Sequence, residues 1–156
     1  MFLLLDPKDF NIKNIYFLEK KSNKLMDGFF TKIIFTNSFM TMNGIFFKLA
    51  IQKSPLIQKT SYFLQFDPNC HKEVITRLSL IEKQLLLYYN FFNKTQKTPI
   101  YNLKNQLQNG SVKYYRPFYK EDAYRTQSIG GSYYIKISGI WENQYEIGVT
   151  FKIIED

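Results

Sequence analysis

The alternation of apolar and polar residues predicts three strands in the first half of the chain. Residues 28–36 are mostly strand formers, and Asn43-Gly44 is a strong signal for a two-residue hairpin turn, in which both central residues need positive φ. The returning strand is expected from Ile45 to Ile51, where every second residue is apolar. A third strand is expected from Thr60 to Phe66. Residues 28–66 are therefore predicted to be β structure, whereas residues 1–27 are mixed and fit a short helix or strand.

A long amphipathic helix is expected after the third strand, from about residue 69 to residue 91. Asp67 can accept hydrogen bonds from the free N–H groups of a first turn, and proline suits the first helical position, where Pro68 stands. Apolar residues then recur with helical spacing on one face, and charged residues occupy the other. The apolar residues are Val74, Leu78, Ile81, Leu85, Tyr88 or Tyr89, and Phe92.

The rest of the chain divides into a basic segment and two final strands. Residues 93–132 are polar and poor in periodicity, and their seven Lys and Arg against two acidic residues account for five of the net eight positive charges. We expect a long insertion here, with a helical turn at 101–107 that Asn109-Gly110 ends. Alternating patterns predict strands at 133–138 and 145–153, joined by a turn at 142–144.

The order of these elements is three strands, a long helix, an insertion and two strands, which is the order of the OB-fold. That fold is a five-stranded Greek-key barrel, with its helix between the third and fourth strands. We therefore predict a mainly β protein with an OB-like domain at 28–156, the insertion at 93–132 and an N-terminal appendage at 1–27. Gly139 and Gly148 fit the bends or bulges that closure of a barrel requires.

An open antiparallel sheet with one helix packed on a face is the alternative fold. Periodicity alone does not separate it from a barrel, because a bent sheet shows the same alternation. The barrel is favoured because many strand residues are apolar on both sides, and because no second helix is predicted to cover a sheet.

Two parts of the chain carry a resemblance to a known group of proteins. One is Tyr134-Ile-Lys-Ile-Ser-Gly-Ile-Trp-Glu-Asn143 with Tyr145-Glu-Ile-Gly-Val-Thr-Phe-Lys152, and the other is Lys97-Thr-Pro-Ile-Tyr-Asn-Leu-Lys-Asn-Gln-Leu107 with Asn109-Gly110. They resemble small proteins of large double-stranded DNA viruses and related elements, some of which are held to bind single-stranded DNA. The resemblance implies an OB-type fold and a role in DNA replication.

The composition limits the partners and the compartment. The net charge is +8 and the pI is about 9.4, so the expected partner is an anion, unless the lysines only keep an aromatic-rich protein soluble. The single cysteine excludes an internal disulfide and fits a reducing, intracellular compartment, the nucleus or a cytoplasmic viral factory. Residues 1–5 are too short for a secretion signal, and no apolar run approaches a membrane span.

The stretch from Lys113 to Arg125 contains most candidate binding residues, because it interleaves cations with aromatic rings. Cations follow a phosphate backbone, and rings stack on unpaired bases. The alternative is that several of the rings close the mouth of the barrel. The candidate phosphate contacts are Lys113, Arg116, Lys120 and Arg125, and the candidate stacking residues are Tyr114, Tyr115, Phe118, Tyr119 and Tyr124.

Three further candidates lie in the predicted strands. Lys48 and Lys136 stand at mid-strand, where a cation marks either a ligand groove or a solvated face. Trp141, the only tryptophan, is either a platform for a base or a half-buried core ring that uses its indole N–H. We include all three in the predicted binding surface.

The sequence offers little chemistry for an enzyme. Cys70 and His71 are neighbours whose side chains diverge on a helix, and no further metal ligands are grouped with them. The acidic residues, including Glu142 and Glu146, lack the spacing of a metal-dependent nuclease. No catalytic residue, metal or cofactor is therefore expected.

We therefore predict a non-enzymatic protein that binds single-stranded DNA through phosphate contacts and base stacking, as an accessory of replication, repair or recombination. RNA in place of DNA stays open, as does self-association. The alternative is a structural or adaptor subunit, such as a virion component or an OB subunit of a larger complex. A small nuclease is the third candidate.

Overall fold

The computed structural model of the protein describes residues 3–25, 27–51, 63–115 and 132–156. Within these ranges the chain is mainly β, with a long helix α1 (Lys72–Asn93) and a short helix α2 (Asn102–Asn109). The ten strands described are β1 (Ile15–Phe17), β2 (Lys21–Asn23), β3 (Gly28–Thr36), β4 (Thr41–Asn43), β5 (Ile45–Leu49), β6 (Phe63–Gln65), β7 (Thr98–Ile100), β8 (Ser111–Tyr115), β9 (Tyr133–Glu142) and β10 (Glu146–Glu155).

The last hairpin is the centre of the sheet. β9 and β10 pair antiparallel along most of their length, which confirms the two final strands predicted from the sequence. On its other side, β9 pairs with β5 through residues 133–137 and with β3 through residues 139–142. β10 pairs in parallel with β7 through residues 146–148 and with β8 through residues 153–154. β6 pairs with β8, while β1, β2 and β4 pair with β3.

The five-strand barrel order is not confirmed, whereas the mainly β class with one long helix is. Among the described residues the sheet has ten strands and does not close. β1 and β2 lie within residues 1–27, and β7 and β8 lie on either side of α2 within residues 93–132. Three of these four strands have only three residues. A strand that short shows no measurable alternation, so the sequence pattern did not reveal it.

The predicted hairpin at Asn43-Gly44 is wrong. The turn that reverses β3 into β4 lies earlier, where the backbone N–H of Asn37 donates to the carbonyl of Met40 at 3.0 Å. Gly44 has φ +96°, whereas Asn43 lacks positive φ. Before Gly44 the chain pairs with β3 as strand β4, and after it the chain pairs with β9 as strand β5. The glycine is therefore needed for a change of partner strand and not for a type I′ turn.

The long helix is confirmed at the predicted place. Pro68–His71 forms a 3-10 turn that the Asp67 carboxylate caps by accepting the N–H of Asn69 at 2.9 Å, and α1 follows directly. The predicted apolar face is buried at Leu78, Ile81, Leu85 and Tyr89, whereas Phe92 is 59% exposed. This face packs with the inward residues of β3, β5, β9 and β10, which include Ile33, Phe47, Ile135 and Ile137, to form the core.

Helix α2 is held by a buried carboxylate of α1. Both oxygens of Glu82 accept hydrogen bonds from the free N–H groups of the first turn of α2, at 2.8 Å from Leu103 and 3.0 Å from Lys104. Burial raises the pKa of Glu82, and these two backbone bonds partly offset the rise. The helical turn predicted at 101–107 is thus confirmed, and Gly110, with φ +73°, ends it as expected.

Candidate nucleic-acid interface

The side of the sheet that faces away from the core carries the candidate site. We call this side of β5, β6, β8, β9 and β10 the outer face. Residues that are paired across neighbouring strands lie on the same face of a sheet, so the strand register identifies its members. The described outer-face residues are Phe46, Lys48, Phe63, Gln65, Ser111, Lys113, Tyr115, Tyr134, Lys136, Ser138, Thr150, Lys152 and Ile154. None of these thirteen is acidic. The acidic Glu146 lies on the same side at the start of β10, six residues before Lys152.

Three lysines stand side by side on neighbouring strands of the outer face, and we call them the lysine row. Lys136 of β9 is paired with Lys152 of β10. The parallel register of Ile153 with Tyr114 places Lys113 of β8 next to Lys152. Adjacent strands are about 4.8 Å apart, so the three side chains begin within about 10 Å of one another. Like charges at opposite positions destabilise a sheet, and the row is therefore costly to an unliganded protein.

An exposed tyrosine lies among these cations. Tyr115 is 40% exposed, and its ring centroid lies 5.3 Å from Nζ of Lys113 and 4.7 Å from Nζ of Lys152. Cations at these distances are attracted to the face of an aromatic ring. The arrangement keeps an aromatic surface and two positive charges together at the sheet surface, as binding of a base and its phosphates requires.

Aromatic residues flank the lysine row at both ends. Phe46 is paired with Lys136, whose Nζ lies 5.4 Å from the Phe46 ring centroid, and Phe63 is paired with Lys113. Phe63 is 41% exposed. In the adjacent row, Lys48 is paired with Tyr134, which adds a fourth lysine to the outer face. The outer face thus combines cations and rings across five strands.

The structure brings four of the predicted site residues together and separates one. Lys48, Lys113, Tyr115 and Lys136 all belong to the outer face. The prediction of Tyr114 as a stacking residue is corrected, because its side chain is only 5% exposed. Its ring packs in the core against the ring of Tyr133, with 5.4 Å between the two centroids. Strand alternation places neighbours on opposite faces, so Tyr114 and Tyr115 cannot both be exposed. The other candidates of the segment lie outside the described residues: Arg116, Phe118, Tyr119, Lys120, Tyr124 and Arg125.

Sequence reasoning missed Lys152, which lies at the centre of the lysine row. Its alternation with Phe151 and Ile153 was visible, and that pattern placed it on the polar side of its strand. What the pattern did not contain was the register between β9 and β10, which sets Lys152 opposite Lys136. Phe46 and Phe63 were missed for the same reason, since their positions depend on pairing with distant strands.

Trp141 lies on the same side of the sheet as the lysine row because of a bulge. It follows Lys136 by five residues, an odd number that would place the two on opposite faces of a regular strand. The register between β9 and β10 shifts at Thr150/Phe151, opposite Gly139, and the shift restores the common face. Trp141 is half-buried and pairs with Gly148, so it is accessible as a platform while part of its ring is packed.

A fully paired polar cluster lies on the inner side at the same end of the sheet. Glu142, 3% exposed, accepts hydrogen bonds from the hydroxyl of Tyr89 at 2.5 Å, Nζ of Lys97 at 2.6 Å and Nζ of Lys20 at 2.8 Å. Burial opposes the charged carboxylate, but these three donors outweigh it and hold the pKa of Glu142 below its usual value. Burial and the neighbouring carboxylate together raise the pKa of Tyr89. The cluster joins α1 and β9 to the segments just before β2 and β7, and it has a structural role.

The Cys70 thiol offers no sign of activation. Its Sγ lies 3.6 Å from the Asp67 carboxylate, and this hydrogen bond and the negative charge raise the pKa of the thiol. A raised pKa disfavours the nucleophilic thiolate. His71 instead packs its ring edge-on against Phe66 at 5.9 Å. The two neighbours therefore do not form a nucleophile pair.

Comparison with known proteins finds no match: no family model, no curated protein and no solved structure matches this chain. Within the described ranges there is no group of three or more His, Cys, Asp or Glu side chains placed to hold a metal ion. Neither described helix is both long and apolar enough to cross a membrane.

Proposed function

We propose that the protein binds single-stranded DNA through the outer face, as a non-enzymatic accessory of replication, repair or recombination. The observation that carries the proposal is the lysine row, three like charges on adjacent strands whose paired outer-face neighbours include no acidic residue. A phosphate backbone would remove the repulsion within this row. The likeness to OB-fold proteins of large DNA viruses remains part of the proposal.

Phosphate contacts would supply most of the affinity. In single strands each neutralised phosphate contributes about −0.7 to the slope of log K against log salt concentration. Four outer-face lysines, Lys48, Lys113, Lys136 and Lys152, therefore predict a slope of about −3. Binding that depends this strongly on salt distinguishes a phosphate-binding face from an apolar contact surface.

Base stacking would make the protein prefer unpaired strands. A base stacked on an aromatic side chain contributes about 1–3 kcal/mol, and every base has a π-face to offer. Tyr115 and Phe63 are the exposed rings nearest to the lysine row. In a duplex the faces of the bases are stacked on each other, so these rings would favour single strands over duplex.

The test is fluorescence anisotropy with labelled oligo-dT, oligo-U and a duplex of equal length, each at two salt concentrations. We expect tighter binding of oligo-dT than of the duplex, and a loss of affinity at the higher salt that matches the predicted slope. Equal, weak and salt-insensitive binding to all three would reject the proposal. Tighter binding of oligo-U than of oligo-dT would replace DNA by RNA as the ligand.

A structural or adaptor role is the second candidate, and exposed apolar residues on α1 favour it. Leu80 and Leu87 are each 53% exposed and Phe91 is 80% exposed. Their spacing of seven and four residues puts them on one stripe of the helix. Size-exclusion chromatography with light scattering would test this role, because a subunit that depends on its partner should self-associate or precipitate alone. A soluble monomer that binds oligo-dT would favour the first function.

A further inference from the structure

A cleft of about 230 Å³ opens at the end of the sheet, beside the turn that joins β9 to β10. Pockets for drug-sized ligands measure about 300–1,000 Å³, so this cleft suits a smaller, flat ligand. The register places Trp141 on the outer side of the sheet, and Phe29 and Glu142, which are paired with each other, on the opposite side. The lining residues are Asn23, Asp27, Phe29, Trp141, Glu142 and Asn143.

Trp141 supplies a flat wall that the backbone holds in place. If Gly148 carried a Cβ atom, that atom would overlap three atoms of the Trp141 indole, Cζ2, Cε2 and Nε1, at nearly equal distances. The ring therefore lies with its face, and not its edge, against Gly148 of β10. Gly148 covers this face, and the opposite face of the half-buried ring is the stacking surface for a planar base.

The polar groups of the cleft have a definite pattern of donors and acceptors. Asn23 and Asn143 use their carbonyl oxygens to accept backbone N–H groups of their own turns, at 2.7–3.1 Å, which leaves their –NH₂ groups as donors. Asp27 is exposed, and within the described ranges its carboxylate makes no hydrogen bond or ion pair. Glu142 is already occupied by Tyr89 and two lysines. Asp27 is thus the acceptor that remains for a ligand.

We infer that this cleft binds one unpaired guanine base, stacked on Trp141 and hydrogen-bonded to Asp27. The Watson–Crick edge of guanine carries two neighbouring N–H donors, which a carboxylate accepts, and a carbonyl oxygen, which an amide –NH₂ group can bind. Thymine has a single N–H between two carbonyls and does not match. The negative charge of Asp27 repels a phosphate, so a base and not the backbone is expected beside it. The inference rests on the proposed function, because the cleft adds one base contact to a strand held along the lysine row.

Because Trp141 is the only tryptophan in the chain, its fluorescence reports on this cleft alone. The experiment is a titration of the full protein with guanosine and, separately, with thymidine, each corrected for absorbance. Nucleosides carry no phosphate and so do not depend on the lysine row. We expect saturable quenching by guanosine and at least about fivefold weaker binding of thymidine, the lower end of the discrimination that a bidentate base contact provides.

Matched variants test the contact to Asp27. Asp27→Asn retains the shape of the side chain and should weaken guanosine binding at least about fivefold. Asp9→Asn removes another exposed carboxylate that does not line the cleft, and it should leave the titration unchanged. No quenching by guanosine, equal binding of thymidine, or unchanged binding in Asp27→Asn would each overturn the inference.

The two proposals fail separately. A Lys113→Gln/Lys152→Gln double variant should bind guanosine as the original protein does while losing affinity for oligo-dT. Guanosine quenching without oligo-dT binding would overturn the proposed function and leave the cleft as a base site. Salt-dependent oligo-dT binding without guanosine quenching would overturn the cleft and support the lysine row.

Discussion

Replacing Lys152 by glutamine is the sharpest test of the lysine row, because this residue lies between Lys136 and Lys113. Glutamine keeps most of the length of the side chain and removes only the charge. One lost phosphate contact should flatten the salt slope by about 0.7, which at about 0.15 M salt corresponds to about fourfold weaker binding of oligo-dT. Anisotropy titrations at three or more salt concentrations measure both quantities.

The stability of the Lys152→Gln variant separates a functional from a structural role. The substitution relieves repulsion from Lys113 and Lys136 and removes the cation–π contact with Tyr115. Each effect amounts to about 0.5–1 kcal/mol and the two have opposite signs, so the free energy of unfolding should change by less than about 1 kcal/mol. Urea denaturation measures it.

Lys83→Gln is the matched control, because Lys83 is an exposed lysine of α1, on the other side of the sheet. It should leave the salt slope of oligo-dT binding unchanged. If Lys152→Gln and Lys83→Gln reduce affinity equally, only the net charge of the protein matters and the lysine row has no special role. If Lys152→Gln instead costs more than about 2 kcal/mol of stability, the lysine is structural.

Three further predictions follow from the same contacts. Tyr115→Ala should weaken oligo-dT binding by about 1–3 kcal/mol in anisotropy titrations, and an unchanged affinity would exclude stacking on this ring. Glu82→Ala should lower the free energy of urea unfolding by about 2–4 kcal/mol, because it leaves one buried and one partly buried N–H group of α2 without acceptors. A loss below about 1 kcal/mol would show that α2 does not need this cap. The lowered pKa of Glu142 contributes stability that is present above its unfolded pKa and lost as pH falls through the folded value. In Glu142→Gln the free energy of unfolding should therefore fall less steeply as the pH is lowered than in the original protein. An identical pH dependence would contradict the lowered pKa of Glu142.

The spacing of apolar residues along the chain was sufficient to predict the helices and strands that bury one face. The helical spacing of Leu78, Ile81 and Leu85 predicted α1, because one face of the helix had to be buried wherever it packed. The same logic placed Lys48 and Lys136 on the polar side of their strands. Both predictions needed only the period of the element, 3.6 residues for a helix and two for a strand.

The candidate site, in contrast, depends on which strands become neighbours. The lysine row exists because β10 lies between β9 and β8, and Trp141 joins that side of the sheet through a bulge. The change of partner at Gly44 and the capping of α2 by Glu82 likewise join residues that are distant in sequence. Periodicity along the chain determined which side chains avoid the core. Only tertiary pairing decided which of them meet, since strand register is set by long-range burial and closure that no local window contains.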